Sequence, residues 1–355
     1  MILDLVSSDD DKSKIIDKVG LAPMALLPDS SQPIQWGILG AGNIAATVGA
    51  DIARSPDSEV AAVGARDRDR AARLAGQLGA SRAYGSYREL VADADVDVIY
   101  VATTHAQHHE QALLALRAGK PILVEKAFTL NARQARDVVA VARDAGLFCM
   151  EAMWMRFNPL IRKAVDLARD GAIGNLISVH ADLSALFSFD PHDRLYDLSA
   201  GGGALLDLGV YPAHLVWMFL GRPSLVQAIG ALSPTGSDAT SAQQWGYPGG
   251  QFAQLSCTTL GRSPMTALIH GTGGWISVDG RLHRPTQLTV HRADQTEVIA
   301  GDSVGYEREV AEVERALRAG ETESAVVPLQ DTVEILEVID QARAQIGVRY
   351  QADEE

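Results

Sequence analysis

Cysteine is scarce in this chain: two residues, Cys149 and Cys257, in 355. That excludes a disulfide framework and a cysteine-based zinc site, and it fits a reducing, cytoplasmic location. Long apolar runs are missing as well. No stretch of about 18 uncharged apolar residues occurs, so no membrane span is expected. Positive charge is in deficit, with 31 Lys and Arg against 45 Asp and Glu and a formal charge of -14. A phosphate backbone is held by basic patches, so nucleic acid is excluded as a partner. The first residues, MILDLVSSDDDKSK, place acids where a secretory signal carries its positive charge.

What is present is ample apolar content, 47% of residues, in a chain too long for one comfortable domain. Residues 1–33 show no sustained period and read as a disordered leader or an arm that packs on a neighbouring subunit. From residue 34 a rhythm of strand and helix begins. Strands are expected at 34–39, 59–65, 96–102, 121–125 and 147–152, and helices at 43–54, 69–78, 107–118 and 132–145. Such alternation predicts an α/β Rossmann domain, a doubly wound parallel sheet, over 34–157. Beyond it, a helix at 159–169, a strand at 176–186 and a long apolar helix at 203–220 precede short strands between 224 and 300. Helices at 306–318 and 332–346 close the chain. This second part, 158–355, is expected to be an α+β domain with an open, largely antiparallel sheet.

The segment Gly40-Ala41-Gly42-Asn43-Ile44-Ala45 follows the first strand and opens the first helix. Its G-x-G-x-x-A form permits a tight turn, a close backbone approach to a pyrophosphate, and close helix–strand packing. The pyrophosphate then meets free N–H groups at the positive end of the helix. At the end of the second strand the sequence reads Arg66-Asp67-Arg68-Asp69-Arg70. Arg66 and Arg70 offer planar forks suited to a 2′-phosphate, which favours NADP, while Asp67 could still reach a ribose and leaves NAD open.

Lys126 stands just past the 121–125 strand, at the carboxyl edge where such sheets bind ligands. Asp207 and Tyr211 are four apart in the apolar 203–220 helix and so share a face. A buried carboxylate needs a partner, and Lys126 is the obvious one. Ionising a phenol at pH 7 costs about 4 kcal/mol. An ammonium about 4 Å away offers a similar amount at an effective dielectric of 20. Lys126 is therefore expected to make Tyr211 a usable acid/base. Pro212 is expected to kink the helix beside it. Trp154, Arg156 and Phe157 either line the substrate cleft or pack in the core. His105 and His108 lack a companion cysteine or carboxylate, so no metal is expected.

These residues resemble the glucose-fructose oxidoreductase, inositol dehydrogenase and rhizopine-catabolism (Gfo/Idh/MocA) family, from residue 34 onward. The matching stretches are WGILGAGNIA, VEKAF, EAMWMRFNP, GGGALLDLGVYPAHLV and GYEREVAEVERALRAG. Among its members the chain looks most like the dihydrodiol and D-xylose dehydrogenase branch. The resemblance implies an NAD(P)-dependent oxidoreductase acting on a sugar or cyclic vicinal diol, often as a homodimer or higher homo-oligomer. It places Lys126 at the family's E-K-P lysine and Asp207 and Tyr211 at its D-x-x-x-[H/Y] pair. It puts Thr103, His105, His108 and Glu125 beside the cofactor. Ala127 replaces the usual proline, and Thr104-His105 replaces Pro-Asn, which bears on the loop beside the nicotinamide. An NAD-linked polyol dehydrogenase, a sugar hydrolase that retains NAD, and a non-catalytic sensor are the alternatives within the family.

Overall fold

A computed structural model of the chain describes residues 32–293, 295–302 and 304–354. The leader expected at 1–33 therefore falls almost wholly outside the described residues. The first sheet is parallel, in the order β3-β2-β1-β4-β5-β6. Its strands are β1 (Ile34–Leu39), β2 (Ser58–Gly64), β3 (Arg82–Tyr84), β4 (Val98–Val101), β5 (Ile122–Glu125) and β6 (Cys149–Ala152). Ile34, Trp36, Ile38 and Leu39 are fully buried, as a strand covered by helices on both faces demands. The covering helices are α1 (Asn43–Arg54), α2 (Arg68–Leu78), α3 (Tyr87–Val91), α4 (His105–Arg117) and α5 (Ala132–Ala145). β3 and α3 are additions to the sequence reading. A strand of three residues and a helix of five are too short to show a period.

The second sheet has the order β14-β13-β12-β11-β7-β10-β9-β8. It comprises β7 (Leu176–Ser184), β8 (Leu225–Leu232), β9 (Asp238–Gly246), β10 (Phe252–Thr258), β11 (Ala267–Gly271), β12 (Gly274–Val278), β13 (Gln287–Arg292) and β14 (Gln295–Ala300). Only the β7–β10 pair is parallel, so the expected open, largely antiparallel sheet is present. One face of β10 buries Ala253, Leu255 and Cys257, while Gln254 lies on the other, open face. The buried face takes the helix α7 (Val210–Leu220) and the turn before it. A Cβ on Gly209 would come within 3.0 Å of the Cys257 sulfur, so glycine lets backbone and sheet approach there. The stretch Leu198–Leu220 is long and apolar enough to cross a bilayer, but 83% of its apolar 18-residue window is buried inside the protein, as in a core helix.

Helix α6 (Pro159–Arg169) begins on Asn158, whose side chain accepts from Leu160 and Ile161 N–H. Two C-terminal helices, α8 (Glu307–Arg318) and α9 (Leu329–Ile346), return to the first sheet. Glu314 of α8 accepts hydrogen bonds from Ser55 and Ser58, and Asp340 of α9 caps Ala132 N–H at 2.9 Å. α9 also packs against β8, where Gln345 accepts Ala228 N–H at 2.8 Å, and so joins the two sheets.

Candidate active site

The register of the parallel sheet gathers the site. Leu39 pairs with Gly64 and with Val101, and Val101 pairs with Val124. The turns after β1, β2, β4 and β5 therefore emerge side by side, and the strand order reverses between β1 and β4. That is the crevice where doubly wound sheets bind dinucleotides.

Gly40 has φ +121°, and a Cβ there would sit 2.5 Å from the Ala102 carbonyl oxygen, so the tight turn requires glycine. Gly42 is the N-cap of α1, with no side-chain cap and no acid in the first turn. A Cβ on Gly42 would meet nothing within 4 Å. The N–H groups at the start of α1 thus open onto a cradle with Asn43 exposed at its rim and Ile44 turned partly inward. This arrangement fits a pyrophosphate.

Arg66 and Arg70 are exposed beside this cradle. Arg70 Nη2 donates to the Ala41 carbonyl at 2.9 Å, so its guanidinium already reaches the glycine turn. The Arg66 charge is felt at Tyr87, where it works against the rise that burial imposes on the phenol. Asp67, which the sequence left free to reach a ribose, caps α2 by accepting from Asp69 and Arg70 N–H.

On the far side stand the residues after β4 and β5. Among the described residues nothing hydrogen-bonds the buried Thr103 hydroxyl. His105 Nδ1 lies 2.9 Å from the Gly201 carbonyl, which ties α4 to the glycine turn that precedes the 205–209 segment. Burial holds His105 down to about 3, so the ring is neutral. His108 Nδ1 is 2.8 Å from Ala127 O, and Nε2 is 3.2 Å from Thr103 O. A neutral imidazole carries one N–H, so the shorter contact is the hydrogen bond. Glu125 is buried, accepts the Tyr100 hydroxyl at 2.5 Å, and is pushed up to about 7 by burial. The Lys126–Ala127 peptide bond is cis.

Lys126 Nζ reaches across the cleft to Asp207, 2.8 Å from its carbonyl oxygen and 3.2 Å from Oδ1. The free carbonyl has a local cause. Residues Leu205–Gly209 form a π-helical turn, in which a carbonyl pairs with the N–H five residues on. For Asp207 that residue is Pro212, which has no N–H. The expected helix is thus a π turn followed by α7, and the irregularity leaves an acceptor for the lysine. The turn is anchored by Asp238, which accepts Leu205 N–H at 2.6 Å, and by Tyr350, whose hydroxyl donates to Gly202 O at 2.9 Å. Burial raises the Asp207 carboxyl, but Lys126, Arg194 and His105 together bring it well below the usual carboxylate range. Arg194, which no sequence signal marks, lies 3.2 Å from Asp207 Oδ1 on a largely exposed side chain.

Tyr211 shares this cleft. Its ring centroid is 5.1 Å from Lys126 Nζ, and its hydroxyl accepts Trp154 Nε1–H at 2.9 Å. The lysine therefore lies over the ring rather than on the phenolic oxygen. The sequence argument expected it to lower the phenol. Instead burial pushes Tyr211 well above its ordinary value, and the charge of Glu125 adds to the rise. The lysine's charge is already directed to Asp207. The site at rest thus holds an ammonium, a carboxylate and a protonated phenol, a set that can polarise a substrate oxygen and donate a proton to it.

Trp154 lines the cleft beside Tyr211. Arg156 is buried beside it: its side chain is 7% exposed and pairs with Asp331 at 2.6 Å, fastening the 154–157 turn to α9. Phe157 is buried in the core. Two further rings complete the wall, His283 and Tyr306, at 5.6 and 4.8 Å from the Trp154 ring.

Comparison with known proteins agrees with this geometry. The oxidoreductase family with an NAD-binding Rossmann fold matches residues 34–153, and its Gfo/Idh/MocA C-terminal domain matches residues 161–277. The chain belongs to the Gfo/Idh/MocA family. It is 37% identical over 332 residues to trans-1,2-dihydrobenzene-1,2-diol dehydrogenase of Mus musculus, covering 90% of this chain and 99% of that one. The Bos taurus protein of the same name is 34% identical over 333 residues, with the same coverage. Among solved structures, a 3-ketoreductase from Actinomadura kijaniata in complex with NADP and TDP-benzene superposes with a TM-score of 0.81 at 27% identity, covering 89% of this chain and 98% of that one. This Gfo/Idh/MocA protein is an NAD(P)-binding oxidoreductase that acts on CH–OH groups.

Proposed function

We propose that the chain is a cytoplasmic, NADP-dependent dehydrogenase/reductase acting on a hydroxyl or carbonyl carbon of a cyclic vicinal diol or sugar. The observation that carries this reading is the single cleft in which Lys126, Asp207 and Tyr211 face the dinucleotide crevice. When bound, the nicotinamide supplies or accepts the hydride. Tyr211 donates its proton to the substrate oxygen in reduction, and takes it back, as phenolate, in oxidation. Lys126 polarises that oxygen, and Asp207 holds Lys126 through both its carbonyl and its carboxylate. The aromatic wall of Trp154, Tyr211 and Tyr306 suits the apolar face of a ring. The dihydrodiol dehydrogenases similar to this chain support the diol, and the 3-ketoreductase supports the sugar.

NADP is favoured over NAD because Arg66 and Arg70 border the cradle while Asp67 is engaged as a helix cap. A double Arg66→Ala/Arg70→Ala variant should bind NADP at least about tenfold more weakly and NAD with little change, since hydrogen bonds to charged groups are worth about 1.5–3 kcal/mol. Titration of both dinucleotides by fluorescence checks this, and equal losses for the two would contradict it. The open face of the second sheet exposes Ile229 (75%) and Leu225 (55%) beside the glutamines of β8, β9 and β10. A homodimer formed through this face would cover them. Light scattering is expected to give twice the chain mass, and Ile229→Lys to give a single chain.

A further inference from the structure

His283 belongs to none of the motifs, and it sits in the 279–286 turn between β12 and β13. Its ring is 5.3 Å from that of Tyr211 and 5.6 Å from that of Trp154. The second sheet thus reaches the cleft through this turn, which Leu282 N–H fastens to Met265 O at 2.7 Å. Among the described residues nothing hydrogen-bonds the buried Nδ1 of His283. A buried polar atom without a partner costs about 1–3 kcal/mol, a cost removed if a ligand supplies the partner. Trp154 cannot supply it, because its N–H is spent on the Tyr211 hydroxyl.

We propose that His283 is a specificity-determining residue that accepts a hydrogen bond from a second hydroxyl of the substrate, next to the carbon that reacts at Tyr211. The inference rests on the oxidoreductase reading above and adds to it the reason a vicinal diol is chosen over a simple alcohol. Burial, together with the positive charges of Arg284, Lys126 and Arg281, holds the imidazole down to about 4, so it is neutral near pH 7 and one ring nitrogen is free to accept. A ring seated against the Trp154–Tyr306 wall, with one hydroxyl at Tyr211, turns its neighbouring hydroxyl toward His283.

The test compares kcat/KM for trans-1,2-cyclohexanediol and for cyclohexanol with NADP, in the wild-type chain, His283→Phe and His283→Asn. Phenylalanine keeps a ring of similar breadth and removes the acceptor, while asparagine restores an acceptor near the position of Nδ1. The ratio of diol to mono-alcohol should fall at least about tenfold in His283→Phe, as expected for loss of one buried hydrogen bond, and should recover in part in His283→Asn. An unchanged ratio, or equal losses on both alcohols, would overturn the role of His283 alone. Absence of turnover of both alcohols by the wild-type chain would overturn the cyclic-diol reading on which this inference rests.

Discussion

Lys126→Met is expected to lower turnover at least about 100-fold while NADP still binds, because it removes the group that polarises the reacting oxygen. Methionine keeps the length and apolar stem of lysine, so the cleft wall stays filled. The ammonium it removes makes two contacts to Asp207 and lies over the Tyr211 ring. Among the described residues the remaining ion-pair partner of Asp207 is then Arg194, whose side chain is 58% exposed and therefore screened by water. The carboxyl should rise from its depressed value, and the π-turn carbonyl should be left without its donor. The dinucleotide cradle at Gly40–Ile44 is on the other side of the crevice and keeps its N–H groups. Turnover at saturating substrate, with fluorescence titration of NADPH, separates the two effects. Loss of cofactor binding in step with activity would make Lys126 part of the cradle instead, and full activity would remove it from the mechanism.

Tyr211→Phe should cost at least about 100-fold in carbonyl reduction, since only the proton donor is removed and the ring remains. A second consequence concerns pH. Burial and the nearby Glu125 hold the phenol protonated well above its ordinary range. Reduction needs the protonated form, which dominates at neutral pH, so its rate should be flat there. Oxidation needs the deprotonated form, a small fraction that grows tenfold per pH unit below the phenol's pKa, so diol oxidation should climb with pH through the neutral range. In Tyr211→Phe the residual oxidation should lose that slope. Parallel pH profiles in the wild-type chain and the variant would show that another group moves the proton.

The sequence made the dinucleotide half legible because its signals are local. The α1 boundaries follow from the glycine turn at one end and loss of apolar period at the other. Pairing Lys126 with Asp207 was legible from burial alone, since a carboxylate in an apolar helix face requires a cation. The behaviour of Tyr211 was not. Coulomb attraction to Lys126 favours a lower phenol, but desolvation outweighs it, and Asp207 takes the lysine's hydrogen bonds. Pro212 signalled an irregular helix, but not that the irregularity is a π turn upstream that frees the Asp207 carbonyl. Arg156 stands next to cleft-lining Trp154, and its ion-pair partner Asp331, 175 residues away, is one that no local pattern marks. His283 and Arg194 sit in irregular segments where no period marks them.

Placing one proton carrier and one ammonium against the nicotinamide commits the chain to a net transfer of hydride between substrate and free cofactor. The most direct measurement uses a cyclic vicinal diol deuterated at its carbinol carbons, incubated with NADP, with the nicotinamide product examined by NMR. The account predicts deuterium at C4 of newly formed NADPH, on one face of the ring, and none with Lys126→Met. Consumption of the diol with no NADPH formed, or NADPH carrying hydrogen from solvent at C4, would contradict it.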